Sequence, residues 1–470
     1  MLFNSFVFLV FMMATFLLYW LLFNRFGKSV SNGYLIVISY VFYGWCNWKL
    51  CFLLFGWTLI TYLVGLEIGK CNASGNKKGA KLCSALAIVV GIGALCYFKY
   101  TNFFIDTIAA MLGTNAHHLD IILPLGISFY TLQMLTYTIE LYRGNISVEK
   151  NPVTYFAAMN FFPPLLSGPI GRAKDLLPQF NQGRTFDYDL VATGFRNILW
   201  GLFMKVIVAD RFGLYVDAVY GNIAQHTGTS LLLAAIAYSI QIYCDFWGYS
   251  LMAKGVAEMF GFKLIQNFNR PYFATSLREF WSRWHISLST WFRDYVYIPL
   301  GGSRCSASRA YMNLIITFLI SGLWHGAALT FCIWGLLHGV FQVVEKALRL
   351  HKVETKNYLY RTLRVAVTFA LVTFAWIFFR MPTFNDALVA IGKIFTQQGT
   401  LFIDSNTMLQ MVLGFAVLLA KDTIDEYWPG KCPLLTNHRV WVRMATYVIL
   451  IISILLFGVL DGGQFIYFQF

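Results

Sequence analysis

The chain of 470 residues is 58% hydrophobic and only 12% charged, with a formal charge of +14 and a mean hydropathy of +0.60. Soluble domains carry about 25% charged residues, so a water-soluble globular protein is excluded. The positive charge falls in short loops between apolar blocks, as expected of cytoplasmic loops, and does not mark a nucleic-acid partner. The apolar blocks are roughly 20 residues long, the length a helix needs to cross about 30 Å of hydrocarbon. Nine scattered cysteines without a Cys-x-x-Cys pair indicate neither a disulfide framework nor a zinc site. With no long polar linker, repeat or low-complexity tract, residues 1–470 read as one membrane domain.

The first block, residues 1–23, has no basic residue before its apolar run and no small-residue cleavage site, so it is expected to stay as the first span. Arg25 and Lys28 follow it, and Lys70, Lys77, Lys78 and Lys81 form a second loop without an acid. The positive-inside rule places both loops in the cytoplasm and the N-terminus outside. Further candidate spans lie near 33–48, 50–68, 83–110, 122–141, 154–170, 190–217, 229–260, 311–345, 362–380, 407–421 and 440–461. The basic segment 346–364, with Lys346, Arg349, Lys352, Lys356, Arg361 and Arg364, is assigned to the cytoplasm. Pro124-Leu125-Gly126, Pro163-Pro164 and Ser167-Gly168-Pro169 predict broken or re-entrant segments, tolerated at membrane depth only where they are buried in protein or line a cavity.

Residues 278–295 follow another pattern. Trp281, Trp284, His285, Leu288, Trp291, Phe292 and Tyr295 recur at helical spacing, with Ser282, Arg283, Ser289, Thr290 and Arg293 on other faces. The spacing predicts one amphipathic helix at headgroup level, with His285 on its inward face.

His325 stands out chemically, because it interrupts an uncharged apolar stretch from Leu314 to Val344. An ionisable ring at that depth marks a functional candidate, although a packing hydrogen bond is an equal reading. Gly322 and Gly326 would allow close approach of backbone or substrate, or simply helix packing. His338, 13 positions on, would lie roughly 20 Å from His325 on a continuous helix and is assigned to another environment. Asp245, with Gln241, Tyr243 and Tyr249, reads first as a structural node. Ser128, Tyr130 and Gln133 follow the break at Pro124-Gly126. No Walker loop, dinucleotide turn, Gly-x-Ser-x-Gly elbow or His-Glu-x-x-His motif competes.

Several motifs together resemble the membrane-bound O-acyltransferase (MBOAT) family. They are Pro124-Leu125-Gly126-Ile127-Ser128-Phe129-Tyr130, Phe162-Pro163-Pro164 through Ile170, and Asn267 through Tyr272. Phe280 through Trp291, Arg293 through Gly302, Gly322-Leu323-Trp324-His325-Gly326 and Phe465-Ile466-Tyr467-Phe468 complete the set. The likeness is to the bacterial alginate O-acetylation branch and its peptidoglycan and D-alanyl-transfer relatives. It implies an all-α polytopic fold of about 11 transmembrane helices, with re-entrant and interfacial helices around a central funnel.

The resemblance further implies that His325 is the essential catalytic residue and His285 a supporting one. Trp324, Ser128, Tyr130, Gln133, Asp245, Arg283 and Arg293 are the substrate-lining candidates. A cytoplasmic thioester, acetyl-CoA or an acyl carrier, would serve as donor, with no metal and no tightly bound cofactor. The acceptor would be a hydroxyl of an extracytoplasmic polysaccharide, and the partners membrane lipids and an extracytoplasmic esterase-like acetyltransferase, at the inner membrane. Acceptor deprotonation by neutral His325 and a His-bound acyl intermediate both remain open. So do transfer of a D-alanyl group, a lipid or protein acceptor, and a small-solute transporter.

Overall fold

Apolar backbone at membrane depth must satisfy its own hydrogen bonds, and among the described residues every regular element is a helix. The computed structural model describes residues 1–350, 357–460 and 466. Lys352 and Lys356 of the basic segment, and Phe465, Tyr467 and Phe468 of the last motif, lie outside them.

Eight helical stretches among these residues are long and apolar enough to span a bilayer unaided. About 11 are expected, and the expected segments outside these eight are shorter or broken. The segment near 33–48 forms α2 (Lys28–Gly44) and that near 122–141 forms α6 (Ile127–Tyr142), of 17 and 16 residues. The segment 154–170 breaks into α7 (Pro152–Met159) and α8 (Phe162–Leu165). The protein is an all-α polytopic membrane protein.

The chain divides into two compact units. The first, residues 1–198 and 250–265, contains α1 (Phe6–Leu21), α2, α3 (Leu50–Ala73), α4 (Lys77–Leu95), α5 (Thr101–Leu112), α6 to α8 and α9 (Ala173–Phe180). Helices α3, α4 and α6 pack together. Gly126 takes φ 73° at the start of α6, where a Cβ would meet the Leu165 carbonyl at 2.7 Å. Only glycine serves there.

The second unit, residues 199–249 and 266–470, receives α10 (Tyr188–Phe203) and α12 (Gly228–Met259) in part, and α11 (Asp210–Tyr220) whole. It continues with α13 (Leu277–Arg283), α14 (Ile286–Phe292), α15 (Ala307–His325), α16 (Leu329–Ala347), α17 (Tyr358–Arg380), α18 (Phe384–Thr396), α19 (Ser405–Tyr427) and α20 (Val440–Phe457). On α20, Trp441, Val448, Ile449, Leu455 and Leu456 are exposed, an apolar surface suited to lipid.

The predicted span 311–345 is two helices and not one. Gly326, with φ −160° and ψ 154°, ends α15, and the chain returns as α16. The two helices run in near-backbone contact: a Cβ on Gly322 would lie 2.3 Å from the Phe331 carbonyl, and one on Gly335 2.3 Å from that of Phe318. Small residues permit this approach where lipid leaves no hydrophobic drive for association. Gly335→Leu should therefore separate the hairpin, costing about 1–3 kcal/mol or more, and a thermal melt of the purified protein in detergent should show a clearly lowered Tm.

Candidate active site

The amphipathic segment departs from the expected continuous helix at the residue of interest. Helix α13 ends at Arg283, Trp284 is extended, and His285 takes φ 40° and ψ 55° before α14 begins. The π-helical turn Arg293–Tyr297 follows. A left-handed non-glycine residue costs of order 1–3 kcal/mol and persists only where its surroundings over-determine it. The inward face is as expected: Trp281, Trp284, Leu288, Trp291 and Phe292 are buried, and His285 is fully so.

Asn267 supplies the constraint. Its backbone carbonyl accepts from the Ile286 amide at 2.9 Å, and its Oδ1 accepts from the Ser287 amide (3.1 Å) and hydroxyl (2.9 Å). The same Oδ1 lies 3.1 Å from His285 Nδ1. Because a backbone N–H can only donate, the Ser287 amide fixes this atom as the acceptor oxygen, and His285 Nδ1 must carry the hydrogen. In the neutral ring Nε2 is then the unprotonated nitrogen. Such a nitrogen accepts a proton but cannot donate to an oxyanion.

His325 closes α15 and is 4% exposed. Its ring meets Trp324, Trp334 and Phe379 at centroid distances of 4.9, 5.0 and 5.3 Å. Trp324, from the same motif, also contacts His285 at 6.3 Å, so one indole touches both histidines. Phe246 of α12 lies edge-on to His285 at 4.6 Å.

The reversal after Gly326 overturns the placement of His338 in another environment. It lies on the returning helix with its ring 5.0 Å from Trp334, the indole that also contacts His325. Trp281 Nε1 donates to His338 Nδ1 at 3.3 Å. The buried Trp334 N–H has no hydrogen-bond partner among the described residues. The 13-residue spacing does not reveal this, because it separates the two rings only along an unbroken helix, and the helix breaks at Gly326.

A cavity of about 620 Å³ lies in this unit. Arg278, Arg293 and Lys346 line it, with Glu345 and the hydroxyls of Ser289 and Ser321. Ser321 precedes His325 by one helical turn on α15, a rise of about 6 Å. The Glu345 carboxylate accepts from the Leu277 amide at 2.5 Å, holding the start of α13 at this wall.

The other candidates divide by partner. Arg293, 59% exposed, pairs with Asp294 at 2.7 Å and stands at the cavity. Arg283 instead meets both oxygens of Glu426 (3.0 and 2.9 Å) and Glu279 (2.7 Å). Burial pushes the Glu279 carboxyl up, but the Thr275 amide and hydroxyl together with Arg283 outweigh it and hold the group below the usual range. Asp245 is engaged by Lys205 (2.7 Å) and the Ile466 amide (2.8 Å), and Lys205 also pairs with Asp210 (2.7 Å). That is a structural node. Ser128, Tyr130 and Gln133 lie on α6 of the first unit, where Gln133 Nε2 donates to the Met159 carbonyl at 3.2 Å.

Two buried histidines at broken helix ends thus share an aromatic wall in the unit that holds the basic-rimmed cavity, and comparison with known proteins makes the chain a polytopic membrane acyltransferase. Residues 145–383 match the family model described as MBOAT, membrane-bound O-acyltransferase family, and the chain belongs to that family. It is 37% identical to a protein of Pseudomonas putida named "Probable alginate O-acetylase AlgI", over the whole length of both chains. It is 34% identical to a "Peptidoglycan O-acetyltransferase" of Helicobacter pylori, over 76% of this chain and 72% of the relative. A "Teichoic acid D-alanyltransferase" of Bacillus subtilis is 31% identical over 56% and 69%. The transporter reading gives way to an enzyme.

If Asn267 sets the imidazole as described, ¹⁵N spectra of labelled protein at neutral pH should show His285 with a protonated Nδ1 and an unprotonated Nε2. Asn267→Ala should remove that preference and cost about 1–3 kcal/mol of stability through the donors left unmatched, read as a lower Tm.

Proposed function

We propose that the protein transfers an acetyl group from a cytoplasmic thioester to a hydroxyl of an extracytoplasmic polysaccharide, alginate or a similar polymer, at the inner membrane with its N-terminus outside. One observation carries the catalytic part: His325 is buried at the hairpin turn, one helical turn from a cavity-lining serine. The names of the alginate and peptidoglycan relatives support acetyl and polysaccharide as the transferred group and acceptor. An extracytoplasmic esterase-like partner would receive or complete the product.

In the transfer, neutral His325 takes the proton of the attacking hydroxyl as the new oxygen–carbon bond forms. The carbon–sulfur bond breaks, and the proton passes from His325 to the departing thiolate. General-base assistance of this kind contributes about 10²–10⁴ in rate. His285, with Nε2 as an acceptor, orients a second hydroxyl or the attacking one and does not serve as the oxyanion donor. The Trp334 N–H, beside His325, is the candidate for that role. A direct transfer needs neither a metal nor a resident cofactor.

Of the arginines near the site, Arg278 and Arg293 line the cavity and suit the donor's phosphates, Arg293 being 59% exposed beside Asp294, whereas Arg270 and Arg283 are held by Glu426 and Glu279 away from it. An anionic donor would be drawn toward such a rim.

With purified protein and labelled acetyl-CoA, His325→Ala should lower acetyl transfer by at least 100-fold while the protein stays folded, and Trp334→Phe should lower kcat at least tenfold. Unchanged transfer in His325→Ala would overturn the site. Neutralising Arg278 and Arg293 together should raise the donor KM several-fold with little change in kcat. An unaltered KM would remove them from the donor path.

A further inference from the structure

The segment bearing His285 has a second left-handed residue besides His285 itself: Arg270, with φ 46°. Two such residues bracket one stretch of chain, and both of its ends converge on a single carboxylate. Glu426 of α19 accepts from Arg270 Nε at 2.8 Å and from Arg283 through both terminal nitrogens, at 2.9 to 3.0 Å. Its side chain is 7% exposed. The ends are also tied to each other, since the Asn269 amide donates to the Arg283 carbonyl at 2.9 Å.

We infer that Glu426 is a positioning residue for His285, a staple that closes the 270–283 loop so that Asn267 and His285, just outside its two ends, meet in register. The carboxylate replaces the repulsion of two guanidinium groups by a shared attraction, and a planar fork against a carboxylate fixes direction as well as distance. Removing its charge takes the shared carboxylate from Arg270, Arg283 and the more distant Arg361 (3.8 Å) and leaves Arg283 with Glu279 on its own helix, so that nothing charged ties one loop end to the other and the loop ends part. Asn267 then no longer presents its carbonyl to Ile286 and its Oδ1 to Ser287 and His285, and the left-handed turn relaxes. Glu426 lies beyond residues 145–383, the region the family model matches.

The inference rests on His285 acting in the transfer, and the experiment separates the two. Glu426→Gln in the full-length protein is read by amide hydrogen exchange and by acetyl-CoA kinetics. Exchange at Ile286 and Ser287 should rise at least tenfold while the amides of α15 and α16 keep their protection. The kcat should fall at least tenfold with the donor KM within twofold, and Glu426→Asp should recover part of it. Unchanged exchange at Ile286 and Ser287, or loss of protection throughout α15, overturns the staple. Local loosening with unchanged kcat leaves the staple standing and overturns the catalytic role of His285. If Glu426→Gln fails to accumulate, Arg283→Lys, which keeps the charge and loses the fork, is held to the same two readouts.

Discussion

Two helical backbones cross at Gly322 and Gly335 with no room for a side chain on either, and the geometry around His325 depends on that contact. In a bilayer, apolar side chains gain little by leaving lipid for one another, so close packing and hydrogen bonds must hold helices together. Bringing α15 and α16 so near forces a tight reversal after Gly326. The last residue before that reversal is His325. The same closeness lines Trp334 and His338 up behind it on the returning helix.

The sequence spoke clearly about elements whose signal is local. Apolar block length yields the spanning helices, Pro and Gly predict the broken segments at α7 and α8, and aromatic spacing predicts the buried face of α13 and α14. The histidine motifs were legible as chemistry because polar rings in apolar runs are conspicuous. What stayed hidden was set by long-range contact. A helical wheel drawn through 278–295 has no means of registering a left-handed residue at 285, since the cause is Asn267, a side chain 18 positions away. Glu426 lies farther still, and a span read as ending at 421 stops one turn short of it. The run Lys421, Asp422, Asp425 and Glu426, closing a helix whose middle is apolar, is the available signal.

Charge in this protein is sorted by what it faces. Several buried carboxylates are matched to bases, Glu426 to arginines and Asp210 and Asp245 to Lys205 between them, while Asp422 accepts from the Tyr243 hydroxyl and Glu345 from the Leu277 amide. Isolated ions at such depth are costly, while pairs are tolerated and fix orientation. Arg270, Arg278, Arg283 and Arg293, close together in sequence, therefore have different fates. Those held by α19 hold the chain in place, and those at the cavity present their charge to it.

The bond from the Ile466 amide to Asp245 joins residues 221 positions apart. During synthesis α12 leaves the ribosome long before its partner exists, so the Lys205 and Asp245 ion pair must enter the membrane with one acceptor oxygen still waiting. The second unit is completed only after the chain has passed α20, so that any chain ending before residue 466 leaves Asp245 without this donor.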